Sequence, residues 1–458
     1  CTESPDALMR VFRQSARRLS SAAKSPRDAV IVGVARTPVG GFNGSLAALK
    51  APELGSAAIS AALDRAGVPK ESVEQCWMGN VIASGMGQAP ARQAAQMAGL
   101  PDSTCCTTVN KVCSSGMKAV TLGSQEIVLG NADVLVAGGM ESMSNVPYYL
   151  PKARFGARMG DATMVDGLVF DGLWDPYDNC HMGGHAELCA ETHGITREMQ
   201  DAHAREPFHR PGRLLTARLS SRQDAHADES YRRARAASFG DEIAPVTVKS
   251  RKGDVIVTAD DECAPEPRPA SAAKPAFKKK DGTVTAANAS TISDGSRDTS
   301  ETLPRHFLAA NASTISDGAA ALVLMSRSQA EAAGAPILAT IRSSADAEQE
   351  PCWFTTAPAA AIPKALARAG LAISDVDFFE INEAFSVVSV ANNQLLGLDP
   401  TRVNVRGGAV SIGHPIGASG ARIVVTLLSV LREKGGKIGV AGICNGGGGA
   451  SAIVIEAE

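Results

Sequence analysis

Short apolar runs alternate with helix-length segments through the first third of the chain. The run AVIVGVA at residues 29–35 has the length of a strand and leads into turn residues. The pattern after it predicts a helix, a strand, a helix, a strand, a helix and a strand over residues 52–66, 76–81, 89–97, 105–109, 114–129 and 133–137. Short apolar strands that alternate with helices predict an α/β fold whose sheet is covered on both faces.

The same alternation returns near the C-terminus. It predicts two strands and two helices, over residues 376–381, 383–394, 419–432 and 437–443. Local sequences also repeat: CSSGMKAV at 113–120 resembles GASGARIV at 417–424, and VLVAGGMES at 134–142 resembles IGVAGICNGGGG at 438–449. We interpret this as an internal duplication into two related halves, with chance similarity between Gly-rich turns as the alternative.

Composition narrows the class of protein. A chain of 458 residues with 44% apolar residues can build two or three domains, and its net charge of −3 gives no electrostatic reason to expect a nucleic-acid partner. No apolar run is long enough to predict a membrane span. The ten cysteines show no paired spacing, which favours free thiols over a disulfide framework.

The first 27 residues differ from the rest. MRVFRQSARRLSSAAK, from Met9 to Lys24, is basic and Ser-rich and contains no acidic residue. This composition is typical of a mitochondrial transit peptide, so we expect a mitochondrial protein with an unfolded leader over residues 1–27. A basic tail without a targeting role is the alternative.

Four polar positions carry candidate chemistry. Cys113 stands among small residues at the predicted start of a helix, where unpaired N–H groups favour a thiolate. His414, between Gly413 and Pro415, can take the thiol proton. Cys444 precedes a glycine run whose N–H groups can hold an oxyanion. Asn382 offers an amide that can fix a water or a carbonyl oxygen.

Seven motifs occur in a family order: VARTPVGGF, NKVCSSGMKA, GGMESMSNVPY, HMGGHAE, NEAFS, GGAVSIGHPIGASGAR and CNGGGGAS. Together they resemble the thiolase family, in particular its biosynthetic branch, from about residue 28 to 455. The resemblance implies a five-layer α/β/α/β/α fold of two pseudo-symmetric halves. It implies an N-terminal half over 28–150 and 283–327, a coenzyme A-binding loop domain over 151–282 and a C-terminal half over 328–458.

The resemblance also implies an activity. It implies condensation of two acetyl-CoA molecules to acetoacetyl-CoA and CoA, with thiolysis as the reverse, through an acetyl-cysteine at Cys113. His414 matches the histidine that activates this thiol, Asn382 the residue that positions a water, and Cys444 the acid/base cysteine. The N–H groups of Cys113 and Gly446 match an oxyanion hole. The resemblance implies no covalently bound cofactor. It implies a homotetramer.

Further positions match the family's substrate and ion ligands. His181 and Met182 match residues beside the substrate, and Arg268 matches a coenzyme A ligand. In the potassium-activated subgroup, a tyrosine, alanine carbonyls and a valine build the ion site. The matching residues are Tyr231, Ala309, Ala310, Ala312 and Val410.

Two segments occur twice, each with an offset of 23 residues. AANASTISDG stands at 286–295 and 309–318, and QDAHA at 200–204 and 223–227. We expect mis-spliced or mispredicted segments, with surface insertions as the alternative. The family serine that binds coenzyme A therefore matches both Ser313, which we prefer, and Ser290.

Several alternatives stay open. A broader 3-ketoacyl-CoA thiolase, a Cys-dependent thioester hydrolase and a non-catalytic acyl-CoA-binding protein all fit parts of the pattern. His181 and His185 have a spacing that can bind zinc on a helix, but no further ligand recurs with ligand spacing and two glycines weaken the helix. Cys113 and Cys444 can form a regulatory disulfide. We expect packing roles for the other thiols, at positions 76, 105, 106, 180, 189, 263 and 352.

Overall fold

A computed structural model of the chain describes residues 24–195, 224–251, 253–263 and 313–458. The helices within these residues are α1 (Ala51–Ala66), α2 (Pro90–Met97), α3 (Ser115–Leu129), α4 (Met182–Thr192), α5 (Asp224–Ala236), α6 (Arg327–Ala333), α7 (Pro358–Ala369), α8 (Ser386–Leu396), α9 (Ala409–Ile412) and α10 (Ser419–Lys434). The strands are β1 (Ala29–Arg36), β2 (Gly40–Gly41), β3 (Gln75–Gly79), β4 (Cys105–Val109), β5 (Val134–Ser142), β6 (Tyr148–Tyr149), β7 (Val165–Asp166), β8 (Trp174–Asp175), β9 (Cys180–His181), β10 (Val246–Val248), β11 (Val255–Val257), β12 (Ser316–Ser326), β13 (Ala339–Glu348), β14 (Phe378–Ile381), β15 (Ile438–Asn445) and β16 (Gly449–Ala457).

One mixed sheet joins the two halves of the molecule. In the described part of the chain it contains ten strands in the order β14, β15, β16, β13, β1, β12, β5, β3 and β4, with β2 beside β12. Three neighbouring pairs are parallel, namely β3 with β4, β3 with β5, and β14 with β15. The halves meet where β1 pairs with β13 through only two residue pairs, Val30 with Thr340 and Ile31 with Ala339.

Helices cover both faces of each half. Helices α3 and α10 pack together between the halves, in a core that includes side chains from β1, β5, β12, β15 and β16. Helices α1 and α2 cover the outer face of the N-terminal half, and α7 covers that of the C-terminal half. Strand β12 shows why the strands read as continuous apolar runs: Leu322 faces α3 and α10, whereas its neighbour Val323 faces α1. The five-layer expectation is confirmed.

The duplicated motif lies where the central helices touch. A β-carbon on Gly420 would lie 2.4 Å from the backbone nitrogen of Met117, and one on Gly116 would lie 2.9 Å from that of Ala421. The equivalent glycines of CSSGMK and GASGAR are therefore required by the close approach of α3 and α10.

The predicted elements agree with the structure except at some ends. Strand β5 continues to Ser142 because its pairing with β12 extends to Asp317, beyond the predicted end at 137. Helix α8 begins at Ser386 and not at 383. The cause is a buried loop over residues 382–385, which holds functional side chains described below.

Two parts of the chain attach to this framework. Arg27 donates to the carbonyl of Ile127 at 2.8 Å, and Lys24 pairs with Glu458. The expectation of an unfolded leader up to residue 27 is thus wrong for residues 24–27, and its remainder, residues 1–23, lies outside the described residues. Buried ion pairs from Arg36 to Glu242 and Asp260, at 2.9 and 2.7 Å, hold the segment around β10 and β11 against the sheet. No described helix is long and apolar enough to cross a bilayer.

Candidate active site

A narrow cavity opens between the two halves and contains two of the predicted catalytic side chains. Its volume is about 40 Å³, roughly three times the space that one water needs. Cys113 and His414 line it together with Gly446 and Met182. Most of the remaining lining is apolar and includes Met143, Leu173, Phe354 and Ile416.

Cys113 is presented to the cavity by a strained turn. Val112, which precedes it, has a φ of +47°, a conformation that β-branched residues rarely adopt. Helix α3 begins at Ser115, one residue later than predicted. The expectation that the helix start favours the thiolate is nevertheless wrong for the free protein. Burial raises the pKa of the Cys113 thiol to about 12, and the nearby Glu141 contributes in the same direction.

Two backbone donors point at the Cys113 sulfur. The N–H groups of Gly446 and of Cys113 itself hydrogen-bond to it and lower its pKa, although less than burial raises it. Gly447 and Gly448 follow with φ values of +84° and +85°, a conformation that suits glycine and shapes the turn after β15. The structure thus places two N–H donors beside the reacting sulfur, where they could also reach the oxygen of an acyl group carried on it.

His414 is buried and its ring is oriented by Ser419. The Ser419 hydroxyl lies 2.6 Å from Nδ1 and 2.9 Å from the carbonyl of Pro415. Because this carbonyl can only accept, the hydroxyl donates to it and accepts from Nδ1–H. Nε2 is therefore the unprotonated nitrogen, and it has no partner among the described residues. Burial lowers the pKa of His414 to about 3, so the ring is a neutral base.

Cys444 lies behind the cavity wall near the end of β15. Its side chain is fully buried in a cluster that contains Phe354 and Phe385. Burial raises the pKa of its thiol well above the ordinary value, and the proximity of Cys113 adds to this shift. Both thiols are free, so the disulfide alternative does not describe this structure.

Asn382 belongs to the buried loop before α8. Neither polar atom of its amide has a hydrogen-bond partner among the described residues. Glu383 anchors the loop by accepting from Ser230 at 3.0 Å and from Asn404 at 2.9 Å. Ser313, which also lines the cavity, donates to the carbonyl of Ala384 at 2.9 Å. The loop therefore holds a buried amide with hydrogen-bonding capacity that other described residues leave unused.

The other predicted ligands divide into three groups. Met182 lines the cavity, whereas the adjacent His181 is not among the lining residues and caps α4 by accepting from the N–H of Gly183 at 3.0 Å. Tyr231 and Val410 are buried on α5 and α9, which pack against each other. The remaining candidates lie outside the described residues: Arg268, Ser290, Ala309, Ala310 and Ala312.

Sequence reasoning missed two side chains at the site. Ser419 had a visible signal, because it stands five residues after His414 in SIGHPIGASG. Glu141 had none. Its buried carboxylate accepts from the N–H groups of Val81 and Gly417 at 2.9 and 3.1 Å, and burial raises its pKa to about 7.

Two expectations about the remaining cysteines and histidines change. Cys105 is exposed and Cys106 is half-buried, so a simple packing role is wrong for Cys105. Helix α4 forms despite the two glycines in HMGGH. His185 contacts Asp175 and Cys180, both within hydrogen-bonding reach of its ring. Asp175 and Cys180, both from the preceding hairpin, are therefore potential metal ligands beside His185 that the sequence spacing does not reveal.

The fold and the site together define a class. The sequence pattern described as "Thiolase, N-terminal domain" matches residues 29–211 and 218–297, and that of "Thiolase, C-terminal domain" matches residues 335–457. The chain belongs to the thiolase family.

Named relatives match over nearly the whole chain. "Acetyl-CoA acetyltransferase 2" of Arabidopsis thaliana is 52% identical over 95% of this chain and 99% of its own length. "Acetyl-CoA acetyltransferase" of Saccharomyces cerevisiae is 47% identical over 94% and 99%. "Acetyl-CoA acetyltransferase ERG10, cytosolic" of Gibberella zeae is 48% identical over 93% of this chain and 97% of its own length. The crystal structure of Acat5 thiolase from Ascaris suum in complex with coenzyme A has a TM-score of 0.79 and 39% identity, and the match covers 94% of this chain and all of that one.

Proposed function

We propose that this protein condenses two acetyl-CoA molecules to acetoacetyl-CoA and CoA and catalyses the reverse thiolysis. One observation carries the proposal: Cys113 and His414 line one small cavity in which backbone N–H groups point at the Cys113 sulfur. The names of the relatives support the same acetyl-transfer chemistry.

Acylation starts from two neutral groups. Nε2 of His414 takes the Cys113 proton as the sulfur attacks the thioester carbon, which explains how a thiol of raised pKa reacts without ionising first. The new S–C bond replaces the bond to coenzyme A. Cys444 gives its proton to the departing CoA thiolate. Acetyl-Cys113, an imidazolium at His414 and a thiolate at Cys444 result.

Condensation uses that thiolate as the base. Burial is the main cause of the raised pKa of Cys444, and acetylation removes the smaller contribution from the Cys113 thiol. Cys444 then takes an α-proton from the second acetyl-CoA, and the carbanion attacks the acetyl carbon on Cys113. The C–S bond breaks, and the Cys113 sulfur regains its proton from His414. All proton transfers balance over one turnover.

Two oxyanions form during this cycle, one in each half-reaction. The N–H groups of Cys113 and Gly446 stabilise the oxygen of the acetyl group on Cys113. Nε2 of His414, together with a water held by the buried amide of Asn382, stabilises the oxygen of the second thioester. Two buried groups support the second assignment, because neither Nε2 of His414 nor the amide of Asn382 has a hydrogen-bond partner among the described residues.

The cavity favours a short acyl group over the longer substrates of a broader 3-ketoacyl-CoA thiolase. Its volume of about 40 Å³ and the aromatic side chains of Phe354 and Phe385 leave room near Cys113 for little more than an acetyl group.

For coenzyme A, we assign residues 151–282 as the binding domain, between an N-terminal half over 28–150 and 283–327 and a C-terminal half over 328–458. Ser313, in the cavity wall, is the preferred serine ligand. Ser290 is the alternative, and it lies within the region that the N-terminal family pattern matches, which ends at residue 297. Arg268, His181 and Met182 complete the set. Ser313→Ala and Ser290→Ala test which of the two copies binds coenzyme A. Only the substitution that removes the binding serine should raise the KM for acetyl-CoA.

Potassium is the ion we expect between α5 and α9. Ser230 and Ser411, the neighbours of Tyr231 and Val410, share a hydrogen bond of 2.9 Å, so α5 and α9 are in contact beside these two residues. A phenol oxygen and a backbone carbonyl are ligands that suit one large cation. The carbonyls of Ala309, Ala310 and Ala312 would complete the shell. Equal turnover rates in potassium and sodium buffers at matched ionic strength would exclude a potassium site.

A homotetramer and a mitochondrial location complete the proposal. The basic, Ser-rich segment up to Lys24 supports import, whereas one relative is named as cytosolic. A fusion of residues 1–23 to a fluorescent reporter tests the location, and sedimentation equilibrium tests the assembly.

Product analysis tests the activity itself. Wild-type protein with acetyl-CoA should form acetoacetyl-CoA and carry an acetyl group on the Cys113 peptide, whereas Cys113→Ala should do neither. Cys105→Ala, which removes an exposed thiol, is the matched control. Release of free acetate without acetoacetyl-CoA would favour the thioester hydrolase, and binding without turnover would favour the non-catalytic binding protein.

A further inference from the structure

A compact group of three different side chains lies outside the catalytic steps. Strands β8 and β9 form a hairpin in which Asp175 and Cys180 are directly opposed. Helix α4 begins immediately after β9 and places His185 in its first turn. The chain therefore brings a carboxylate, a thiol and an imidazole together within eleven residues.

The distances between these groups match those of ligands around one metal ion. Nε2 of His185 lies 3.6 Å from Sγ of Cys180 and 3.2 Å from Oδ2 of Asp175. All three ligand atoms lie within 4.8 Å of one another. With Zn–S near 2.3 Å and Zn–N or Zn–O near 2.0 Å, tetrahedral angles place ligand atoms roughly 3.3 to 3.6 Å apart.

The three side chains lie in an environment that holds them in place through burial and hydrogen bonds. The side chains of Asp175 and His185 are only 2% and 5% exposed. The N–H of Asp178 donates to Oδ2 of Asp175 at 2.8 Å, which fixes the carboxylate from behind. The Asp178 carboxylate lies 3.7 Å from Nε2 of His185, within range of a fourth coordination position. Phe354 packs edge-on against the His185 ring.

We propose that Asp175, Cys180 and His185 bind one zinc-class divalent ion in a structural site. A sulfur, a nitrogen and an oxygen ligand suit zinc and related transition metals, and they disfavour magnesium and calcium, which take oxygen ligands. The ion clamps the hairpin to α4, the helix whose first residue, Met182, lines the catalytic cavity. The competing interpretation is a plain His185–Asp175 ion pair beside an uninvolved thiol.

Cobalt is the probe that separates these interpretations. The purified, chelator-treated protein should take up one Co²⁺ per chain, with intense visible bands of tetrahedral geometry and a near-ultraviolet thiolate-to-metal band. Zn²⁺ should displace Co²⁺ stoichiometrically and raise the melting temperature. Cys180→Ser should abolish the thiolate band, and Asp175→Asn and His185→Asn should weaken Co²⁺ binding by at least about 10-fold, since each removes a direct ligand.

Matched controls show where the ion binds. Cys105→Ser and His193→Asn remove an exposed thiol and an imidazole just after α4, and both should leave the band and the stoichiometry unchanged. Wild-type protein that binds no Co²⁺ would overturn the site, whether or not the variants fold. A thiolate band that survives in Cys180→Ser but disappears in Cys113→Ala would place the metal on the catalytic thiol and would equally overturn it.

Discussion

The hydrogen bond between Ser419 and His414 determines which ring nitrogen carries the proton. Ser419→Ala removes the acceptor 2.6 Å from Nδ1 and leaves that nitrogen buried without its partner. Losing a buried hydrogen bond of this kind costs about 1 to 3 kcal/mol. Because only the Nδ1–H tautomer loses its stabilisation, the ratio of this tautomer, which has a free Nε2, to the Nε2–H tautomer falls by roughly 5- to 150-fold.

Rapid-quench measurement of acetyl transfer to Cys113 reads this effect directly. We expect the acylation rate and kcat/KM to fall together by up to about that factor, since His414 acts at this step. Ser429→Ala is the matched control, because it removes a buried hydroxyl from the same helix away from the cavity. Ser419→Thr keeps the hydroxyl and should restore most of the rate. A folded Ser419→Ala protein that acylates as fast as the control would refute the tautomer argument.

Three further changes test other parts of the account. Glu141→Gln removes a charge that opposes the Cys113 thiolate, so iodoacetamide should label Cys113 faster in the variant than in wild type above about pH 7. Below that pH, where Glu141 is protonated, the two labelling rates should be equal. A rate difference that stays constant with pH would contradict this. Phe354→Ala should raise the thiolysis kcat/KM of longer 3-ketoacyl-CoA relative to acetoacetyl-CoA by at least about 10-fold, measured over a chain-length series; an unchanged ratio would remove Phe354 from the specificity argument. Gly420→Ala places a β-carbon 2.4 Å from the Met117 nitrogen and should lower the free energy of unfolding by about 1 to 3 kcal/mol in urea titrations, whereas wild-type stability would show that α3 and α10 can separate freely.

Much of the architecture is readable from the sequence because its signals are local. Apolar runs and small-residue turns predicted the alternating elements, and the echo between residues 113–120 and 417–424 predicted two halves. The close contact at Gly116 and Gly420 gives that echo a physical cause. The convergence of Cys113, His414 and Gly446 on one cavity follows from the same symmetry.

Properties that depend on burial could not be predicted. The helix start beside Cys113 suggested a thiolate, but desolvation outweighs the backbone donors in the folded protein. Glu141 is remote in sequence from Cys113 and affects its pKa only through the fold. The contact of His185 with Asp175 and Cys180 depends on the turn between β8 and β9, where Asn179 adopts a φ of +51°. Helical spacing alone paired His185 with His181, whereas the described contacts of its ring are with Asp175 and Cys180.

We propose that Cys113 carries the acetyl group and that Cys444 supplies the base for carbon–carbon bond formation. Cys444→Ala tests this most directly when acetyl-enzyme formation and acetoacetyl-CoA production are measured on the same preparation. We predict that the Cys113 peptide still gains an acetyl group, because a CoA thiolate can leave without a proton from Cys444, and that condensation slows by about 100-fold or more, the usual effect of losing a positioned base. Condensation at the wild-type rate in Cys444→Ala would contradict the account.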